Sequence, residues 1–505
     1  MMNLIKNEMK KQENFSMTEN GAVGYKSSGS ALVDINYQVS SLRNASEEEI
    51  ELLFDNAFYE NKEYALKWLF FSRDIREGLG ERRLFRICYK RLSVLDIDAF
   101  YNNLHNISEY GRWDDLISLL GINDTIDLAI GAIIKKTLEL DNANFKEGKS
   151  ISLLAKWLPS ENASSKKTKK LARKVIRLLD MSPRQYRLML SRLRSYSNVV
   201  EVKTCNNQWD EIDYEKVPSL ANLKYKDAFL RHDELRRREY LGSVSKGESR
   251  MNMKVATPVD IVSRYSDVYG ADTLPYDETL ELAWKNLKDI LVEDTLVVAD
   301  GSGSMLTTVS GKTSALSVAN ALAIYTSEHN SGVYRNKYIT FSSRPQFVEF
   351  SDDSSLKEKV DIALEHDECS NTNIEAVFDL ILNVAIENEV PNEEMIKNIL
   401  IISDMEFDRA QTVFSRGENV KPLNRTLFDT IKRKYWEHDY DLPKLIFWNV
   451  NSRTKTIPLV ENDLGVVLVS GFSQNVLRMV MSAKYSPYEV LIEILDGERY
   501  DRVVV

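Results

Sequence analysis

The spacing of apolar residues divides the chain into two parts with different periodicity. From Ala31 to about residue 290, apolar positions recur every three or four residues, as they do over residues 46–80, and this predicts successive amphipathic helices. Strand signals are almost absent from this part. Helices joined by short turns predict stacked helical hairpins in a solenoid-like arrangement. The units differ in length, so the pattern does not establish a strict repeat.

Beyond residue 290, short apolar runs alternate with amphipathic helices. The runs at residues 296–299 and 399–402 are uninterrupted, which is typical of central strands covered on both faces of a parallel sheet. Strands that alternate with helices predict a doubly wound α/β domain. We therefore predict three segments: a polar arm over residues 1–30, an all-α domain over 31–290 and an α/β domain over 291–505.

Oxygen-bearing side chains follow the two apolar runs. Asp300 ends the first run, with Ser302 and Ser304 behind it at alternate positions, and Asp404 ends the second run. Thr372 lies between them in sequence, just before an amphipathic helix. Open α/β sheets place ligands at the carboxyl ends of their strands, and carboxylate and hydroxyl oxygens suit a hard cation. We predict that these five residues bind Mg²⁺ or another divalent cation.

Two other interpretations of this region remain open. The sequence Asp300 to Ser304, DGSGS, also fits an ordinary polar turn. The sequence SGKT at residues 310–313 resembles the end of a phosphate-binding P-loop, which would make the chain a Mg²⁺-nucleotide enzyme. That motif requires a glycine where Leu306 stands, and it normally follows its strand directly. The nucleotide-binding interpretation is therefore the weaker one.

Charge is distributed unevenly along the chain. The formal net charge is −10, yet residues 1–290 carry 45 basic and 43 acidic side chains, a net of +2. Residues 291–505 carry 21 and 33, a net of −12. This asymmetry indicates two domains with different partners.

The strongest concentration of positive charge lies between residues 166 and 194, where 11 basic residues accompany a single acid, Asp180. A run of like charge is often only a solvated helix face. A net charge of +10 over 29 residues of an acidic chain favours a surface that binds a polyanion. The predicted RNA-binding residues are Lys166, Lys167, Lys169, Lys170, Arg173, Lys174, Arg177, Arg184, Arg187, Arg192 and Arg194.

Other features narrow the class of protein. No segment has the length of a membrane span, and the amino terminus lacks the apolar centre of a signal peptide. The three cysteines are far apart, which favours reduced thiols and a cytoplasmic location. The five histidines show no metal-ligand spacing, and there is no G-x-S-x-G motif. We therefore expect no catalytic residues and no enzyme activity.

Several longer segments resemble the Ro (TROVE) ribonucleoprotein family, in particular a branch found in bacteria, phages and plants. They are TENGAVGYKSSGSALVDINYQVSSLRN, YGRWDDL, SLLAKWLPS, YRLMLSRLR, WDEIDYEKVPS and the DGSGS loop. The order Asp-x-Ser-x-Ser, threonine, aspartate resembles the metal-ion-dependent adhesion site (MIDAS) of von Willebrand A domains. Ser370 and Asn371 stand where a glycine pair usually precedes the threonine.

The resemblance implies HEAT-like helical repeats, closed into a ring or left as a solenoid, followed by a von Willebrand A domain. It implies a cytoplasmic, RNA-binding ribonucleoprotein scaffold that takes structured or single-stranded RNA on its basic helical surface. The magnesium ion of the A domain would accept an acidic side chain from a protein partner. The alternative is a metal-dependent protein–protein interaction scaffold whose helices bind protein and not RNA.

Overall fold

The computed structural model of the chain describes residues 9, 13–197, 199–265, 274–311, 313–341, 344–409 and 426–505. Up to residue 262 the elements are β1 (Phe15–Met17), β2 (Val23–Tyr25), α1 (Ala31–Tyr37), α2 (Glu47–Glu60), α3 (Lys62–Arg73), α4 (Arg82–Leu95), α5 (Ile97–Asn103), α6 (Ile107–Tyr110), α7 (Trp113–Ile117), α8 (Asp124–Lys146), α9 (Leu154–Trp157), α10 (Lys166–Leu178), α11 (Pro183–Tyr196), α12 (Val200–Cys205), α13 (Ser219–Lys224), α14 (Lys226–His232), α15 (Glu234–Ser245) and α16 (Pro258–Val262). They are followed by α17 (Glu278–Lys285), β3 (Thr295–Asp300), β4 (Thr308–Ser310), β5 (Thr313–Ser314), α18 (Ala315–Glu328), β6 (Lys337–Phe341), β7 (Gln346–Glu349), α19 (Leu356–Glu365), α20 (Glu375–Glu387), β8 (Asn398–Ser403), α21 (Leu427–Trp436), β9 (Lys444–Asn449), β10 (Val466–Ser470), α22 (Leu477–Val480) and α23 (Pro487–Leu495).

These elements form two compact units, one built on a mixed sheet and one helical. The first contains the described residues of 1–65 and 256–497, and the second contains those of 66–255 and 498–505. The two-part architecture of an α region and an α/β region is therefore present. The units differ from the predicted segments, because residues 13–65 and 256–290 fold with the sheet. An amphipathic helix shows in sequence that it packs, but not on what it packs.

The sheet of the first unit has six strands in the order β10-β9-β8-β3-β6-β7. All neighbouring pairs are parallel except β6 and β7, which pair antiparallel at one edge. The strands β3, β8 and β9 are almost entirely buried, as their uninterrupted apolar runs predict. In chain order, β3 is the first strand of this sheet, β6 is then placed on one side of it, and β8 is placed later on the other side. The carboxyl ends of β3 and β8 thus flank the point where the winding reverses, which is where such sheets bind ligands.

The amino-terminal segment belongs to the core of this first unit. Strands β1 and β2 form an antiparallel hairpin, and Tyr25 pairs with Ile457 through reciprocal backbone hydrogen bonds of 2.8 Å. Buried Val33 and Tyr37 of α1 lie in the same apolar cluster as Val298 of β3. The predicted polar arm is therefore, over its described residues, an ordered addition to the α/β unit.

The helical unit is organised around α8, against which α9, α10 and α11 pack. The approach of α10 is close, because a Cβ at Gly131 of α8 would lie 3.1 Å from the Cβ of Leu178. Elsewhere in this unit, buried Asp115 accepts hydrogen bonds of 2.8 Å from Arg73 and 2.7 Å from Arg86. Among the described residues, no helix has the length and apolar character that crossing a lipid bilayer requires.

Candidate functional site

The predicted cation ligands lie at the carboxyl ends of β3 and β8 and in the loop before α20. Asp300 is the last residue of β3, and Asp404 directly follows β8. The two strands are parallel neighbours, with Thr295 opposite Asn398 and Ala299 opposite Ile402, so Asp404 lies one residue beyond the level of Asp300 at the same edge of the sheet. Both carboxylates and Thr372 are buried. The topology alone therefore brings together residues that are 104 positions apart in sequence.

The loop after β3 folds back on Asp300. The Ser302 amide donates to Asp300 Oδ1 at 2.9 Å, and the Ser302 and Ser304 hydroxyl oxygens are 3.0 Å apart. The Ser403 hydroxyl donates to Asp300 Oδ2 at 2.5 Å. The Ser304 side chain also lies near Asp404 and lowers the pKa of its carboxyl. Asp300, Ser302, Ser304 and Asp404 thus form one connected group.

The loop that carries Thr372 is fastened to the same group through its backbone. The Cys369 amide donates to the Gly301 carbonyl at 2.9 Å, and the Gly303 amide donates to the Ser370 carbonyl at 3.1 Å. A Cβ at Gly303 would lie only 3.0 Å from the Cys369 carbonyl oxygen, so glycine allows this approach. The Asp408 amide donates to the Thr372 carbonyl at 3.0 Å, which ties the loop to the segment after β8.

Both aspartates of this group have raised pKa values. Burial, and then the neighbouring Asp404, raise the pKa of Asp300 to about 7. Burial also raises the pKa of Asp404, against the lowering effect of Arg453. Two carboxylates in one desolvated place disfavour the charged form of each, and a divalent cation removes that penalty.

The donor set decides which cation fits. Among the described residues, no group of three or more His, Cys, Asp or Glu side chains is placed to hold a metal ion. A cation here would depend on two carboxylates, three hydroxyls and water. Such an all-oxygen set suits Mg²⁺, which keeps several water ligands, and does not suit Zn²⁺. The residues Asp300, Ser302, Ser304, Thr372 and Asp404 therefore fit the predicted cation, and we call them the cation site.

Several residues around the cation site were not predicted from the sequence. Arg453 Nη1 donates to Asp404 Oδ2 at 3.0 Å, and it comes from the loop after β9. Buried Glu406 accepts hydrogen bonds from the amides of Glu19, Arg453 and Thr454 at 2.7 to 2.9 Å. The only local signal for Glu406 is its place two residues after Asp404. Arg453 has no sequence signal, because its role depends on the pairing of β8 with β9.

A second unpredicted carboxylate is Asp367, whose Oδ2 accepts a hydrogen bond of 2.8 Å from Asn320 of α18. Its Oδ1 is buried, and it would lie 3.0 Å from a Cβ at Gly301. Burial raises the pKa of Asp367 to about 7. Asp367 therefore packs closely against Gly301 in the loop after β3.

The predicted RNA-binding residues lie on α10 and α11 of the helical unit. Helix α10 buries Ala172, Val175 and Ile176. Its opposite face exposes Lys166, Lys170, Arg173 and Arg177, which follow each other at spacings of four, three and four residues. We call these four residues the basic stripe. No carboxylate of the described part of the chain forms an ion pair with any of them; Lys167, Lys169 and Arg184 share this property.

The residues at the amino end of α10 destabilise the helix that they begin. Four lysines occupy its first five positions, and its first turn holds no acidic residue. Cations near a helix amino terminus oppose the helix dipole, at a cost of about 0.3 to 1 kcal/mol each. A local rule that is broken in this way is expected where function, and not folding, selects the residues.

Four of the predicted RNA-binding residues form ion pairs or hydrogen bonds within the fold. Lys174 forms an ion pair with Asp127, and Arg187 forms one with Glu161 at 2.7 Å. Arg192 donates to the Asn142 side chain. Arg194 donates to the Ala155 and Leu158 carbonyls and to the Ser160 hydroxyl. These four residues are less available to a ligand than the basic stripe.

The possible P-loop does not have the expected backbone. Residues 308–310 and 313–314 form the short antiparallel pair β4 and β5, and Gly311 between them has φ +57°; Lys312 lies outside the described residues. A P-loop instead joins a parallel strand directly to a helix. The described geometry therefore gives no support to the nucleotide-binding interpretation.

The fold and the two sites define a class of protein: a helical unit with an exposed basic stripe, combined with an α/β unit that carries an all-oxygen site at its switch point. By comparison with known families, the chain belongs to the family described as domain of unknown function DUF2828, whose model matches residues 18–128 and 131–296. A second model, described as domain of unknown function DUF7788, matches residues 294–495. The uncharacterized protein L728 of Acanthamoeba polyphaga mimivirus is 31% identical over 523 residues, covering 96% of this chain and 87% of the relative.

Proposed function

We propose that this chain is an RNA-binding protein, a ribonucleoprotein scaffold whose helical unit binds the phosphate backbone of structured or single-stranded RNA. The observation that carries the proposal is the basic stripe, with exposed cations that no carboxylate of the described residues neutralises and that oppose the dipole of their own helix. Flexible lysines and arginines on a helix surface contact phosphates without reading bases. Binding of this kind is strong at low salt and has little sequence preference.

Aromatic stacking does not contribute much to this proposal. Tyr186 is buried and donates to the Pro159 carbonyl at 2.9 Å, and Tyr196 donates to the Lys149 carbonyl at 2.8 Å. The Tyr186 ring is buried and the Tyr196 ring packs edge to face against Phe145, so neither ring is part of the proposal and recognition rests on charge. As part of the same proposal, the helical unit would consist of HEAT-like repeats and the α/β unit would be a von Willebrand A domain, as in Ro (TROVE) proteins. A cytoplasmic location fits the three cysteines, all described, which no disulfide joins.

The direct test reverses the charge of the basic stripe. Lys166→Glu, Lys170→Glu, Arg173→Glu and Arg177→Glu would be combined in the full-length chain, and binding to a labelled RNA hairpin and a labelled single strand would be measured by fluorescence anisotropy. We expect at least a hundredfold weaker binding of both RNAs, with an unchanged circular dichroism spectrum. Equal affinity of the variant and the wild type would refute the RNA-binding proposal.

A second candidate function is a metal-dependent protein interaction, favoured by the geometry of the cation site. Two carboxylates balance the charge of a divalent cation, and hydroxyl oxygens and water would complete its ligands. Such a site, with water among its ligands, accepts an acidic side chain from a partner. Two variants distinguish the candidates. Asp300→Asn should abolish Mg²⁺-dependent binding of a protein partner, whereas the charge reversal of the basic stripe should abolish binding of RNA.

A further inference from the structure

The turn of the amino-terminal hairpin lies against the cation site. Residues 18–21, which we call the hairpin tip, join β1 to β2. The Thr18 hydroxyl donates to the Phe407 carbonyl at 2.7 Å, and the Glu19 amide donates to Glu406 Oε2 at 2.9 Å. The Arg409 amide donates to the Asn20 carbonyl at 3.2 Å. The tip is thus docked on the segment that directly follows Asp404.

Two side chains of the hairpin tip reach atoms of the cation site or their direct partners. Asn20 Nδ2 donates to the Glu406 carbonyl at 2.7 Å and lies 3.4 Å from the Thr372 hydroxyl oxygen. Glu19 Oε2 forms an ion pair of 2.8 Å with Arg453, whose other terminal nitrogen donates to Asp404 at 3.0 Å. The hairpin tip therefore holds one hydroxyl ligand directly and one carboxylate ligand through Arg453.

The same two ligand atoms are those that a divalent cation would need. The Thr372 hydroxyl oxygen has a weak contact with Asn20, and a cation would draw its lone pairs away from that contact. Asp404 Oδ2 accepts from a guanidinium, which supplies the positive charge that a divalent cation would otherwise supply. A cation that binds Asp404 weakens the ion pair with Arg453 and repels the guanidinium.

We propose that the hairpin tip is an internal lid that competes with the divalent cation for Thr372 and Asp404. This inference rests on the cation site of the proposed function and adds a residue-level control to it. Because coupling between two binding events is reciprocal, a cation that loosens the tip must itself bind more tightly when the tip is weakened.

The test measures both directions of the coupling in the full-length chain, with Mn²⁺ as the probe. Mn²⁺ affinity is followed by electron paramagnetic resonance, and hydrogen exchange is followed by mass spectrometry in peptides that cover residues 15–25. Asn20→Ala removes the amide of the lid without a change of charge. Its matched control is Asn398→Ala, which removes a hydrogen bond of 3.2 Å to the Asp294 carbonyl at the opposite end of β8.

We expect Asn20→Ala to bind Mn²⁺ about threefold or more tightly than the wild type, while Asn398→Ala is unchanged. In the wild type, saturating Mn²⁺ should speed exchange in residues 15–25 by a similar factor. Unchanged or weaker Mn²⁺ binding by Asn20→Ala, with binding that still depends on Asp300, would overturn the lid and leave the cation site in place. Absence of Mn²⁺ binding, or equal binding by Asp300→Asn, would overturn the cation site and the lid with it.

Discussion

Neutralising the basic stripe should flatten the salt dependence of RNA binding by an amount that follows from the structure. The perturbation is the combination of Lys166→Gln, Lys170→Gln, Arg173→Gln and Arg177→Gln. All four side chains are exposed on one face of α10, so each is free to displace counterions from RNA phosphates. Glutamine keeps the length and helix propensity of the replaced residues.

The magnitude can be worked out from the number of contacts. Each phosphate contact contributes about −0.7 for a single strand, or about −0.9 for a duplex, to the slope of log affinity against log salt. Four lost contacts therefore reduce the slope by about 3. Between 50 and 200 mM salt, a slope of about 3 corresponds to a change of roughly 50- to 150-fold in affinity. The wild type should lose that factor over this range, and the variant should lose little of it.

The assay is fluorescence anisotropy of a labelled single-stranded RNA, titrated at four salt concentrations from 50 to 200 mM. The control variant makes the same change of net charge with two lysines and two arginines of the same unit that are exposed and paired with carboxylates. These are Arg76→Gln, Lys149→Gln, Lys216→Gln and Arg238→Gln. Equal slopes for the two variants would show that total charge, and not the basic stripe, determines binding, which would refute the reasoning.

Three further predictions concern stability. Mg²⁺ at about 100 times its Kd should stabilise the wild type by roughly 2.7 kcal/mol in thermal melts, and Asp300→Asn should abolish that gain. Between pH 4 and 7 an unfolded Asp367 loses its proton while the folded residue, whose pKa is raised from 3.8 to about 7, keeps it. Stability should therefore fall as pH rises through that window, by up to about 4 kcal/mol, and Asp367→Asn should remove this part of the fall in urea titrations. Asp115→Asn leaves Arg73 and Arg86 without their buried carboxylate partner and should cost about 3 to 5 kcal/mol of unfolding free energy in the same titrations.

Each of these predictions has a result that contradicts it. An equal Mg²⁺ shift in wild type and Asp300→Asn would place the ion elsewhere. A pH profile that Asp367→Asn leaves unchanged would mean that its carboxyl is hydrated in the folded chain. A loss below about 1 kcal/mol for Asp115→Asn would mean that water replaces the carboxylate beside the two arginines.

The parallel strands of the sheet and the loops that carry Asp300 and Asp404 were predictable because their signals are local. An uninterrupted apolar run followed by an aspartate specifies both the strand and the position of its polar end. The positive charge of α10 was also evident, because 11 basic residues and a single acid fall between residues 166 and 194. Lys174 is among the predicted RNA-binding residues, but its ion-pair partner Asp127 comes from another helix and cannot be identified from the sequence of α10 alone.

The contacts of the amino-terminal segment could not be predicted, because they join residues that are hundreds of positions apart. Asn20 and Thr372 are separated by 352 residues, and Glu19 and Arg453 by 434. Nothing in a short polar turn indicates which surface it will contact. The packing of α1 in the α/β unit could not be predicted for the same reason, because Val33 and Tyr37 could pack against any apolar surface.

Ultraviolet cross-linking of the RNA that copurifies with the full-length chain, followed by mass spectrometry of the linked peptides, tests the central claim most directly. We expect RNA in the purified sample, cross-links concentrated in residues 166–192, and the loss of both in the charge-reversed variant of the basic stripe. A sample free of RNA, or cross-links that all fall outside α10 and α11, would contradict it.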